Sequence, residues 1–167
     1  MRSYKLLFFL KKKCILHTMK MSRRQGRILA LEALFAWETS RVPLDELLQF
    51  RWLEAKQREK FDDAELAFPR LLISGTLENL ETIDAKISKY LRGWEFSRIN
   101  GVDKAILRFS VYSLLFQVSI PATVVIDEAV ALAHDYGDDD SFKFVNGVLD
   151  NIRKEQQGVS GAEAQHP

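Results

Sequence analysis

The stretch of this 167-residue chain best equipped for chemistry is Arg23-Arg24-Gln25-Gly26-Arg27. Arg24 and Arg27 are three residues apart and share a face if the segment is helical. Guanidinium groups bind phosphate through paired hydrogen bonds and stack on bases, and the free amides of a helix start add a preference for anions. The chemistry on offer is recognition of a phosphate backbone. The alternative is a cluster that only keeps a surface solvated.

Catalysis finds less support. His17 and His166 lie near the chain ends, and His134 stands alone, with Glu128 and Asp135 not at a metal-ligand spacing such as H-E-x-x-H. A nucleophile elbow, a phosphate loop and a dinucleotide fingerprint are all missing, and the eight glycines are scattered among turns and caps. Asp138-Asp139-Asp140 offers oxygens to magnesium, but Asp140 beside Ser141 is better suited to capping a helix. The sequence therefore predicts no enzyme, no metal and no cofactor.

The summed charge of +1 hides a division, because nine basic side chains and no carboxylate fall within residues 1 to 31, leaving 15 basic against 23 acidic residues in the rest. A basic head on an acidic body suits a phosphate-bearing or acidic partner. An apolar content of 47% supports a folded core. The single cysteine, Cys14, allows no intramolecular disulfide. No apolar run approaches the roughly 18 residues of a membrane span, and Leu6 to Leu10 is too short for a signal-peptide core. The expectation is a soluble cytoplasmic protein with no membrane contact.

These residues need elements to position them. Residues 1 to 21 lack periodicity and are expected to be disordered or an extension ahead of the true start, Met19 and Met21 competing with Met1. Ser22-x-x-Gln25 is a capping box. The helix it opens runs to about Glu38, with Ile28, Leu31, Leu34, Phe35 and Trp37 spread widely enough to predict contact on two sides. Pro43 starts a second helix through Leu48. Asp62-Asp63 open a third, periodic from Leu66 through Ile73, Leu77, Leu80 and Ile87 to Leu91 over about 25 residues, which Pro69 should kink or begin. Asn100 to Asp103 open a helix that ends before Pro121. Val124 to Tyr136 form another, stopped by Gly137 in the left-handed position after a helix. The last begins at Asp140 or Ser141, with a disordered tail over residues 156–167. The result is an all-α fold, a single compact domain of about six to seven helices over residues 22–155.

Three segments carry a family resemblance: Val102-Asp-Lys-Ala-Ile-Leu-Arg108, Val124-Val-Ile-Asp-Glu-Ala-Val130 after Pro121, and Asp140-Ser-Phe-Lys-Phe-Val-Asn-Gly-Val-Leu-Asp150. With Arg23-Arg-x-x-Arg27, Ala30 and Ala33-Leu-Phe35, the chain resembles the NusB family of transcription antitermination factors over residues 22–152, loosely between Arg41 and Arg92. The resemblance implies an all-helical, non-catalytic factor. It would pair with NusE, a ribosomal protein, to bind boxA-type single-stranded RNA in ribosomal RNA leaders, and join NusA and NusG on RNA polymerase. It further implies RNA contacts at Arg23, Arg24, Arg27, Asp140, Lys143 and Phe144, and partner contacts at Phe35 and Asp103. Phe35 and Phe144 are equally compatible with core positions. Gly26 stands where the family often has alanine and should loosen the first turn by up to about 1 kcal/mol. Phe35 replaces a usual tyrosine, and Asp103 a usual glutamate.

Two other readings stay open: the RNA-targeting helical module of a ribosomal RNA cytosine methyltransferase, and a helical interaction module without RNA activity. Self-association as a homodimer through the RNA surface is also left open. A start at Met21 would remove six head charges and shrink the basic element to Arg23, Arg24 and Arg27, a weak RNA binder in need of a partner protein.

Overall fold

In the computed structural model, residues 20–91, 93 and 95–163 are described, the side chains of 56, 57 and 159–163 excepted. Expectations for residues 1–19, including Cys14 and His17, and for His166 lie outside the described residues. The helices group into two compact units that divide between Glu78 and Asn79, and no strand occurs among the described residues.

The first unit opens with α1, Arg23–Ser40, whose start carries the expected capping box. The amide of Gln25 donates to the Ser22 hydroxyl at 3.1 Å and the amide of Ser22 donates to the Gln25 side chain at 2.8 Å. Every residue from Gly26 to Ala36 is buried, as the broad apolar pattern predicts. Buried Glu32 is satisfied by the Trp52 indole, which donates to it at 3.0 Å. Two short helices follow, α2, Leu44–Leu48, and α3, Ala55–Arg58. The unit closes with α4, Asp63–Glu78, which packs against α1 and α2. Pro69 lies inside α4 rather than in its first turn.

The second unit starts at α5, Leu80–Ser88. The single periodic helix expected through Leu91 is thus two helices, broken at Asn79, whose backbone sits at φ −110°, ψ 20°. After Gly93, which takes φ +88° in the turn, a 3-10 turn at Phe96–Arg98 leads into α6, Gly101–Phe116. Helix α6 is buried from Val102 to Leu114 and contacts α5, α7 (Ala122–Tyr136) and α8 (Ser141–Glu163). It carries its own charges inward. Arg108 grips Asp84 of α5 with two donors, Nε and Nη2, each at 2.8 Å, while only 5% of its side chain is exposed.

Two details depart from the sequence reading. Gly137 follows α7 but is extended, φ −88°, ψ −174°, not left-handed. Space explains the glycine: a Cβ there would crowd the Ser141 side chain and lie 2.7 Å from the Ala133 carbonyl. Helix α8 also continues to Glu163, past the expected boundary at residue 155.

Candidate nucleic-acid interface

At the mouth of α1, Arg23 is exposed, Arg24 is half-buried and Arg27 is only 7% exposed. Helix α4 supplies the floor. The guanidinium carbon of Arg23 lies 4.3 Å from the centre of the Phe68 ring, and that of Arg27 lies 5.5 Å from it. Both distances are within cation–π range. The backbone between the arginines can come this close because residue 26 has no side chain: a Cβ on Gly26 would sit 2.7 Å from Phe68 Cδ1 and 3.4 Å from Pro69 Cδ. Gly26, expected to loosen the turn, also makes room by its bareness for an aromatic ring. Glu65 ties the two helix starts together. One carboxylate oxygen accepts from the Met21 amide at 2.7 Å, the other from the Asp62 amide at 3.1 Å, and Asp62 Oδ1 accepts from the Glu65 amide at 2.8 Å. The cleft beside this joint is lined by Lys20, Arg23, Asp62, Glu65 and Phe68.

The second cluster belongs to the other unit. A groove of about 550 Å³, richer in apolar than polar surface, is lined by Arg98, Ile99, Asn100, Asp103, Asp140 and Phe144, among others. Asp103 forms its floor. Its Oδ2 accepts from Asn100 Nδ2 at 2.8 Å and from the Ser141 hydroxyl at 2.9 Å, and the Ser141 oxygen accepts from the Asp138 amide at 2.9 Å. Asn100 also caps α6 by accepting from the Asp103 amide at 2.8 Å. Asp103 is 4% exposed and its Oδ1 has no partner among the described residues. Burial pushes its carboxyl above the ordinary value, the two hydrogen bonds pull the other way, and the nearby Asp138 charge adds to the rise.

The predicted residues separate into surface and interior. Asp140 and Lys143 are exposed and pair with each other at 2.9 Å, so the Asp140 carboxylate engages a side chain, while its carbonyl accepts from the amides of Lys143 and Phe144 at the start of α8. Phe144 is half-buried and lines both this groove and a second one with Tyr90, Asn151 and Lys154. Phe35, at 6% exposure, is a core residue, and Asp103 is a buried joint between two helix starts. Burial sets both apart from the exposed residues of the site: Phe35 takes the core alternative left open for it, packed along α1, and the caps of α6 and α8 enclose Asp103. His134 is exposed, edge-on to Phe142 at 5.9 Å. Among the described residues no three His, Cys, Asp or Glu side chains gather as a metal site, and no helix is long and apolar enough to cross a membrane.

Sequence reasoning missed Phe68, Glu65 and Ser141. Asp62-x-x-Glu65 is a readable capping pattern that foreshadows Glu65. Nothing in the sequence places Phe68 under arginines 41 and 45 residues earlier in the chain.

Residues 24–154 match the NusB family. A transcription antitermination protein NusB of Treponema pallidum is 56% identical over 135 residues, covering 81% of this chain and 94% of that relative. A solved NusB of T. maritima superposes with a TM-score of 0.74 at 42% identity, over 82% of this chain and 94% of that one. The structure of antitermination factors NusB and NusE in complex with double-stranded RNA gives a TM-score of 0.70 at 27% identity, over 80% of this chain and 96% of the chain compared. These relatives are named as antitermination factors, not enzymes, in keeping with the missing catalytic motifs. An all-helical fold, an arginine-lined helix mouth and a family match over most of its length place this chain in the NusB family.

Proposed function

We propose that this protein is a cytoplasmic transcription antitermination factor. It binds boxA-type single-stranded RNA of ribosomal RNA leaders as a heterodimer with NusE, and acts with NusA and NusG on RNA polymerase. The observation that carries this reading is the arginine mouth of α1, where an exposed Arg23 and a half-buried Arg24 stand in the first turn of the helix, at the positive end of its dipole. Buried Arg27 adds positive potential more than an open fork for phosphate. In the second unit, Lys143 and the half-buried Phe144 supply a cation beside an aromatic, a pairing suited to an unstacked strand. A net charge of +1 gives little non-specific attraction for RNA. This favours a partner that shares the strand.

The test is equilibrium binding of a boxA oligoribonucleotide, alone and with NusE, across a salt series. With three to five phosphates neutralised, the slope of log K against log salt should be about −2 to −3.5. Arg23→Ala with Arg24→Ala should flatten it, and a duplex of the same sequence should bind more weakly. A slope near zero, or no response to the paired arginine change, would overturn the proposal.

A further inference from the structure

Phe68 belongs to a helix that the arginine motif does not include, and no residue-by-residue likeness assigns it a role. Its ring nevertheless lies within 4.3 Å of the Arg23 guanidinium carbon and 5.5 Å of that of Arg27. Two further features hold the arrangement. Gly26, between the two arginines, leaves room for the ring, whose Cδ1 lies 2.7 Å from where a Cβ would stand. Glu65, one helical turn before Phe68, binds the Met21 amide at 2.7 Å and so fixes the chain's approach to α1. An exposed arginine otherwise samples many rotamers, and ordering it on a ligand costs free energy. A guanidinium already resting on an aromatic face has lost part of that freedom, while its N–H groups keep their phosphate-binding edge.

We infer that Phe68 is a positioning residue that pre-orients Arg23, with Arg27 behind it, for the RNA phosphate backbone. It touches the arginines and not the RNA. This rests on the proposed RNA role of the α1 mouth.

The test is a double-mutant cycle on the full chain with NusE, using a labelled single-stranded boxA oligoribonucleotide at one fixed salt concentration. Phe68→Leu keeps an apolar side chain and removes the π face. It should weaken binding about two- to five-fold, the size of an exposed cation–π contact, and Phe68→Tyr should restore it. In a background of Arg23→Ala with Arg27→Ala, Phe68→Leu should have no further effect. If Phe68→Leu weakens binding equally in both backgrounds, the ring acts on the RNA or the fold, and the inference fails. If Phe68→Leu changes nothing while the arginine changes weaken binding, it also fails. If the arginine changes themselves leave affinity untouched, the RNA role of the mouth falls, and this inference with it. Phe68→Met, which also lacks the π face and adapts to the space beside Gly26, takes the place of Phe68→Leu in the cycle should that variant unfold.

Discussion

Replacing Gly26 by alanine sets two effects of opposite sign against each other. In an exposed helix interior the change stabilises by about 0.8–1 kcal/mol, because alanine loses less backbone freedom on folding. Here the added Cβ would stand 2.7 Å from Phe68 Cδ1, 3.2 Å from Cε1 and 3.4 Å from Pro69 Cδ. The first distance forces something to move, and a half-buried ring next to a buried proline has little room to give. Overpacking of this kind costs about 1–3 kcal/mol. The net expectation is a loss between zero and about 2 kcal/mol, a lowering of Tm by up to about 8 °C for a chain of this size. Urea unfolding followed by circular dichroism gives the sign directly. RNA affinity should fall together with stability, since the ring that moves is the one beneath Arg23. A Gly26→Ala protein that is stabilised by about 1 kcal/mol and binds RNA normally would refute the account of both Gly26 and Phe68.

Two further predictions concern the second unit. Asp84→Ala removes the carboxylate that Nε and Nη2 of buried Arg108 grip and should lower stability by about 3–5 kcal/mol, whereas pairing it with Arg108→Met should recover much of the loss in chemical denaturation. The carboxylates Asp103 and Glu155 should give pH dependences of opposite sign. The raised Asp103 carboxyl means the folded state holds a proton that the unfolded chain releases near its ordinary value of 3.8, so its contribution falls as pH rises through that window, and Asp103→Asn should remove the fall. Hydrogen bonds from Lys89 and then Lys86 hold Glu155 down to about 2, so its contribution is full above its ordinary 4.5 and is lost as pH drops toward 2. Glu155→Gln should erase that acid-side loss, which high salt should also shrink. Urea midpoints between pH 2 and 6 for the three proteins decide both signs.

Local signals in the sequence were readable wherever the chemistry was local. The Ser22 capping box and the Asn100 cap are contacts within four residues, and both are present. The break at Asn79 was hidden because apolar spacing reports which face is buried and not whether the backbone is continuous. Gly137 was recognised as a stop, but its reason is the Ser141 side chain, which only a folded chain brings near. The arginine mouth was legible as a cluster of charges, while its aromatic floor was not, since Phe68 comes from another helix. The burial of Phe35 and Asp103 was not legible either. A motif picks both out in the sequence, yet the depth of each below the surface depends on packing that spacing does not encode.

The Asp103 joint has a consequence for how occupancy of the groove could be sensed. The hydrogen bond it accepts from the Ser141 hydroxyl holds together the beginnings of α6 and α8, segments 38 residues apart in the chain. A ligand lying in this groove rests on that closure, and a ligand that prefers the closed form raises the free energy of local opening by the same amount that opening weakens its binding. Affinity and local opening are then one quantity seen from two ends, and the exchange of amide hydrogens at the two helix starts becomes a gauge of whether the groove is filled.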